Sequence, residues 1–137
     1  MRAPDHIVLG VGDTHLELRS PEPADASRPV EYLTVTLCAS GLQATSQIDA
    51  YLSEGLPGLF EDMAANWRGW RGKKAWKSID SDLLLTCSHD GHGHISVAVC
   101  VRSYVPNEDM WTAEGTLTLE PGSLDELASA IRRLLRQ

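Results

Sequence analysis

Apolar and polar residues alternate along most of this chain, and the alternation gives way to helical spacing twice. Residues 6–11 and 15–19 are short β-prone stretches joined through Gly12-Asp13, which predicts a first hairpin. Residues 20–29 hold three prolines and no large apolar side chain. Proline removes a backbone donor and fixes φ, so this segment is expected as an exposed connection. Residues 30–39 place Leu33, Val35 and Leu37 on one face, as a strand would. Gly41 breaks the run, and residues 42–48 return as a weaker partner. Further on, residues 82–89 and 94–104 bracket Asp90-Gly91-His92-Gly93. Asp-Gly between two β runs is a hairpin signal, because both residues tolerate left-handed dihedrals. Ile95, Val97, Val99 and Val101 alternate with Ser96, Ala98, Cys100 and Arg102 in the clearest strand of the chain. Residues 111–120 alternate again after a turn at Pro106-Asn107, which predicts a meander of three strands.

Helical spacing first occurs where Leu56, Phe60 (with Leu59), Met63 and Trp67 recur at three- or four-residue steps. Pro57 suits a first turn, where its missing N–H costs little. The expected helix runs from about Pro57 to Trp67 and stops before Gly69. The second helix is expected after Ser123-Leu124-Asp125-Glu126, which reads as a capping box. Leu124, Leu127, Ile131, Leu134 and Leu135 form its apolar stripe, and Arg132, Arg133 and Arg136 sit at its carboxyl end, where cations are favoured. The order is therefore ββββαβββα. Short connections imply antiparallel pairing. The expectation is α+β: one antiparallel sheet of six or seven strands, two helices on one of its faces, a single domain over residues 1–137 and no internal repeat.

Composition agrees with an ordinary globular chain: 137 residues, 42% hydrophobic and 23% charged. No apolar run approaches the roughly 20 residues that cross a bilayer, and the start lacks the apolar stretch of a secretory signal. Three cysteines without a CxxC pair disfavour a disulfide framework or a structural zinc site. All three fall in strand-like runs as small hydrophobes, and the expected compartment is the reducing cytoplasm. The net charge is −7, yet Arg68, Arg71, Lys73, Lys74 and Lys77 lie in ten residues without an acid, so removing those five leaves −12 on the remainder. An acidic body disfavours nucleic-acid binding.

The candidate chemistry is sparse. His89, His92 and His94, beside Asp90, are the one cluster of metal-type side chains, and a tight turn already accounts for them. There is no GxSxG, no glycine-rich phosphate loop and no HExxH, so neither a catalytic residue nor a cofactor is assigned. The most unusual stretch is residues 67–78, which holds Trp67, Trp70 and Trp76 among Arg71, Lys73 and Lys74. It reads as a structural loop, with Trp67 ending the helix stripe and the other indoles capping the core. The alternative is an exposed recognition patch, since tryptophan and arginine concentrate binding energy at interfaces.

The run Leu59-Phe60-Glu61-Asp62-Met63-Ala64-Ala65-Asn66-Trp67-Arg68-Gly69-Trp70-Arg71-Gly72, with Trp76 and Ser78, resembles the signature of a set of short bacterial proteins of unknown function. The resemblance continues through Asp90-Gly91-His92-Gly93-His94-Ile95, Trp111 and Leu119-Glu120-Pro121-Gly122-Ser123-Leu124. That set is similar in turn to WapI-like immunity proteins of contact-dependent toxin systems. The resemblance implies an α+β domain without known catalysis and, for the immunity branch, neutralisation of a cognate protein toxin by binding. The expected function is thus a non-enzymatic cytoplasmic protein-binding domain. Its alternative is a small-molecule-binding domain with a tryptophan-lined pocket. An exposed strand edge leaves a homodimer open.

Overall fold

A computed structural model describes residues 6–20, 30–50, 55–103 and 110–135. Four strands form the first sheet in the order β1-β2-β3-β4: β1 His6–Leu9, β2 His15–Arg19, β3 Tyr32–Ala39 and β4 Leu42–Asp49. Helix α1, Leu56–Ala65, follows. A second sheet then runs β5-β6-β7-β8, with β5 Lys74–Lys77, β6 Leu83–His89, β7 Ile95–Ser103 and β8 Trp111–Leu119. A 3₁₀ turn at Pro121–Ser123 leads into α2, Leu124–Leu135. Every strand pair is antiparallel. The Pro106-Asn107 turn and most of the proline-rich connection fall outside the described residues.

The expected single sheet with both helices on one face is therefore incorrect. Alternation shows that one face of a strand is buried, but not what covers it. Here the chain leaves β4 through a helix, and a helical connection need not return to the same sheet. The fourth strand of the second sheet, β5, was also missed. Lys-Ala-Trp-Lys is too short to establish a period, and its lysines read as part of a basic loop; such charges are what an edge strand carries. With β5 in place, the chain is a meander of four strands and a helix, made twice. The repeat is one of topology and leaves no trace in the residues.

One contiguous core joins both sheets and both helices. Leu16, Leu18, Leu33, Val35 and Leu37 line it from the first sheet, and Leu85, Val97, Val99, Val101 and Leu117 from the second. Each such side chain removes about 1.5–3 kcal/mol worth of apolar surface from water. Strands β3 and β4 pack against β7 and β8, while α1 lies on β5 and α2 on β1, so the paired helices fill the side between those two edges. The sheets are also tied directly: Ser46 Oγ donates to the Arg102 carbonyl at 2.9 Å and the Val11 amide to Thr118 at 3.1 Å. Gly10 makes the second tie possible. Its φ is +112°, and a Cβ there would sit 2.8 Å from the Thr14 carbonyl and 3.2 Å from Leu117.

The helices begin differently from expectation. Ser123 does not cap forward; its hydroxyl turns back to the Glu120 carbonyl at 2.7 Å. The 3₁₀ turn takes up two amides in place of a cap, those of Ser123 and Leu124, which bond to Glu120 and Pro121. Helix α1 ends before Trp67. Asn66 closes it, its amide reaching the Asp62 and Met63 carbonyls at 3.1 Å. Trp67 thus leaves the apolar stripe and is 51% exposed.

Candidate ligand-binding cleft

The turn after α1, the β6–β7 hairpin and the β8–α2 junction meet at one end of the helix pair. The hairpin is organised by Asp90. Its carboxylate accepts the His92 amide at 2.6 Å, the His94 amide at 3.0 Å and His94 Nδ1 at 3.0 Å. The His92 amide above all, with the His94 amide and imidazole, holds the Asp90 carboxyl down to about 2.

His89 joins this hairpin to the tryptophan segment. Its Nδ1 accepts the Gly91 amide at 2.8 Å, so its ring hydrogen is on Nε2, which donates to the Trp67 carbonyl at 3.0 Å. The ring also meets Trp70 in a T-shaped contact, with centroids 5.2 Å apart and planes at 72°. Gly69 lets the chain fold over the imidazole: its φ is +143°, and a Cβ would lie 3.6 Å from Nδ1. Trp70 in turn carries the Lys74 ammonium 5.3 Å from its centroid, and Lys74 pairs with Asp62 of α1 at 2.7 Å.

Trp70 and Trp76 are half-buried against the core, as expected for indoles capping it. Trp76 lies over the start of α1, within 3.7 Å of where a Cβ on Gly55 would be. Trp67 is the exception, standing in solvent with the Arg68 guanidinium 5.1 Å from its ring centroid. Arg71 and Lys73 are exposed. The three histidines are not brought together around a point. Both His89 nitrogens are engaged, His94 is paired with Asp90, and His92 contributes its amide. Among the described residues no three His, Cys, Asp or Glu side chains are grouped as a metal site requires.

The cysteines divide. Cys87 is on the inner face, where burial pushes its thiol up to about 12. Cys38 and Cys100 are half-buried on the outer faces of their sheets and are not core residues.

Between the three segments lies a cleft of about 520 Å³, lined by Ala64, Trp67, Arg68, His89, Gly93, Pro121, Gly122 and Asp125. Sequence reasoning found Trp67 and His89 separately and did not connect them. It treated Asp125 as helix capping and found no role for Pro121 or Gly122. The available signal was the set of motifs behind the resemblance, because Trp-Arg-Gly-Trp, Gly-His-Gly-His and Glu-Pro-Gly all border this cleft. Trp111 is not part of it; that indole stands at the far end of β8, opposite Ser103.

Residues 8–137 match a family of unknown function, DUF6228, and the chain belongs to that family. The match carries no link to WapI-like immunity proteins. No curated protein matches the chain. No helix among the described residues is long and apolar enough to cross a membrane.

Proposed function

We propose that the protein is a non-catalytic binding module that takes its ligand in the cleft between Trp67, His89 and Pro121. The observation that carries this reading is the convergence of three distant segments on a concave site whose largest apolar wall is an exposed indole. Exposing half of a tryptophan forgoes burial that its two neighbours in the same segment obtain. His89 holds the Trp67 backbone from below, which gives the indole a fixed platform. The lack of catalysis is supported by the same imidazole: with both nitrogens engaged, it has no lone pair to offer a substrate. The test is tryptophan fluorescence across a panel of small metabolites. Saturable quenching that is lost in Trp67→Ala, with circular dichroism unchanged, supports the reading; silence across the panel, or quenching indifferent to Trp67, rejects it.

A second reading is favoured by the charge distribution. With five of its twelve cations gathered in residues 68–77, the rest of the chain carries a net −12, a balance suited to a basic protein such as a nuclease toxin. A cytoplasmic immunity role would use exposed acids rather than the cleft. Reversing exposed acids such as Glu31 and Glu114 then slows association with a toxin encoded beside this protein. An unchanged rate rejects it.

A further inference from the structure

Several acids and bases near the cleft are matched within the protein. Glu61 pairs with Arg132 across the two helices, Asp62 with Lys74 at 2.7 Å, and Asp90 with His94 at 3.0 Å. Two charges that line the cleft are not. Among the described residues, neither Arg68 nor Asp125 forms a salt bridge, with each other or with any third group; Arg68 only lies over Trp67. They come from different elements, Arg68 from the turn after α1 and Asp125 from the first turn of α2. The lining shared with them is largely apolar: Ala64, the Trp67 indole and Pro121.

From this juxtaposition we infer that the cleft takes a zwitterionic ligand of the amino-acid type with an apolar side chain. Its carboxylate pairs with Arg68, whose planar donors match a carboxylate in bidentate fashion. Its ammonium pairs with Asp125, and its side chain lies against Trp67. A purely anionic ligand would bring its charge towards Asp125, and a purely cationic one would bring its charge towards Arg68, so each is disfavoured by one wall. The size agrees. At about 520 Å³ the cleft is within the roughly 300–1,000 Å³ of small-molecule sites, large enough for an amino acid or a dipeptide.

This inference rests on the cleft being the binding site, and the experiment separates the two claims. Binding is measured by tryptophan fluorescence and calorimetry with four probes on one scaffold: phenylalanine, phenylpropionate, phenethylamine and N-acetylphenylalanine amide. The leucine counterparts are run in parallel. The zwitterion of at least one series is expected to bind about fivefold more tightly than either singly charged analogue, the scale of one exposed ion pair. Arg68→Gln is expected to erase the preference for phenylalanine over phenethylamine, and Asp125→Asn the preference over phenylpropionate. Both residues are on the surface, so the variants should fold, which circular dichroism checks. Binding that depends on Trp67 but is indifferent to ligand charge overturns this inference and leaves the cleft standing. Absence of Trp67-dependent binding by all the probes overturns this inference, and silence across the wider metabolite panel as well overturns both.

Discussion

In the first half of the chain four strands lead into α1, and in the second half four strands lead into α2; both helices are held by burial, but only α2 adds charges that match its dipole. Five of the ten residues of α1 are buried, its first turn contains no acid and its last turn no base. It begins at Gly55 in a left-handed conformation, without a side-chain cap. Helix α2 carries Asp125 and Glu126 in its first turn and Arg132 and Arg133 in its last, matching the helix dipole at both ends. The same position in a repeated topology is thus filled once by a helix with burial but no charge matched to its dipole, and once by a helix with five buried residues and matched charge at both ends. The site follows this division. It forms where the end of α1 meets the start of α2, and it draws its other wall from the second half's hairpin.

The largest test of this contrast is to remove burial from α1 and charge from α2. Phe60→Ala, at a fully buried position, is expected to cost about 3–5 kcal/mol in urea denaturation. Arg133→Ala on the exposed face of α2 is expected to stay within about 0.5 kcal/mol. Comparable costs would show that end charge holds a helix here as strongly as burial does.

Next comes the turn that brings the chain from β5 to β6. The buried Ser78 hydroxyl accepts the Asp82 amide at 3.1 Å and the Leu83 amide at 3.0 Å, and donates to the Asp82 carboxylate. Ser78→Ala leaves those amides without their acceptor and should destabilise the protein by about 1–3 kcal/mol. A Tm equal to that of the unsubstituted protein would show that water replaces the hydroxyl at no cost.

A smaller effect is expected at the start of α1. Gly55 has φ +106°, so Gly55→Ala should cost about 1–2 kcal/mol from backbone strain, read by the same denaturation. A gain in stability would mean that the helix start tolerates a conventional cap.

The smallest effect concerns the hairpin wall of the cleft. Because the folded Asp90 carboxyl is lowered from 3.8 to about 2, its favourable contribution is complete above the unfolded value and disappears as pH falls through about 2. Carbon NMR of the Asp90 carboxyl should show its midpoint near 2, with the His92 and His94 amide signals moving together. A midpoint near 3.8 would show that the turn's hydrogen bonds do not hold the carboxylate in solution.

Local pattern made much of this legible. The alternation of Ile95 to Val101, the Asp-Gly turn and the stripe of α2 are each set by neighbours within a few residues, and each has its counterpart in the structure. The candidate site was legible only in fragments. Trp67 and His89 stand 22 positions apart, and Pro121 and Asp125 lie further along still, so no spacing rule connects them. Even the assignment of Trp67 to the helix stripe failed, because Asn66 ends the helix one residue earlier and turns the indole into solvent.

What the residues determined on their own is which face of each strand and of α2 must leave water, since apolar periodicity is a property of the chain itself. They did not determine that those faces would close on one another as two sheets, nor that three turns would meet beside an exposed indole. Those outcomes depend on where α1 delivers the chain after β4, and that helix takes its place from the core it helps to fill.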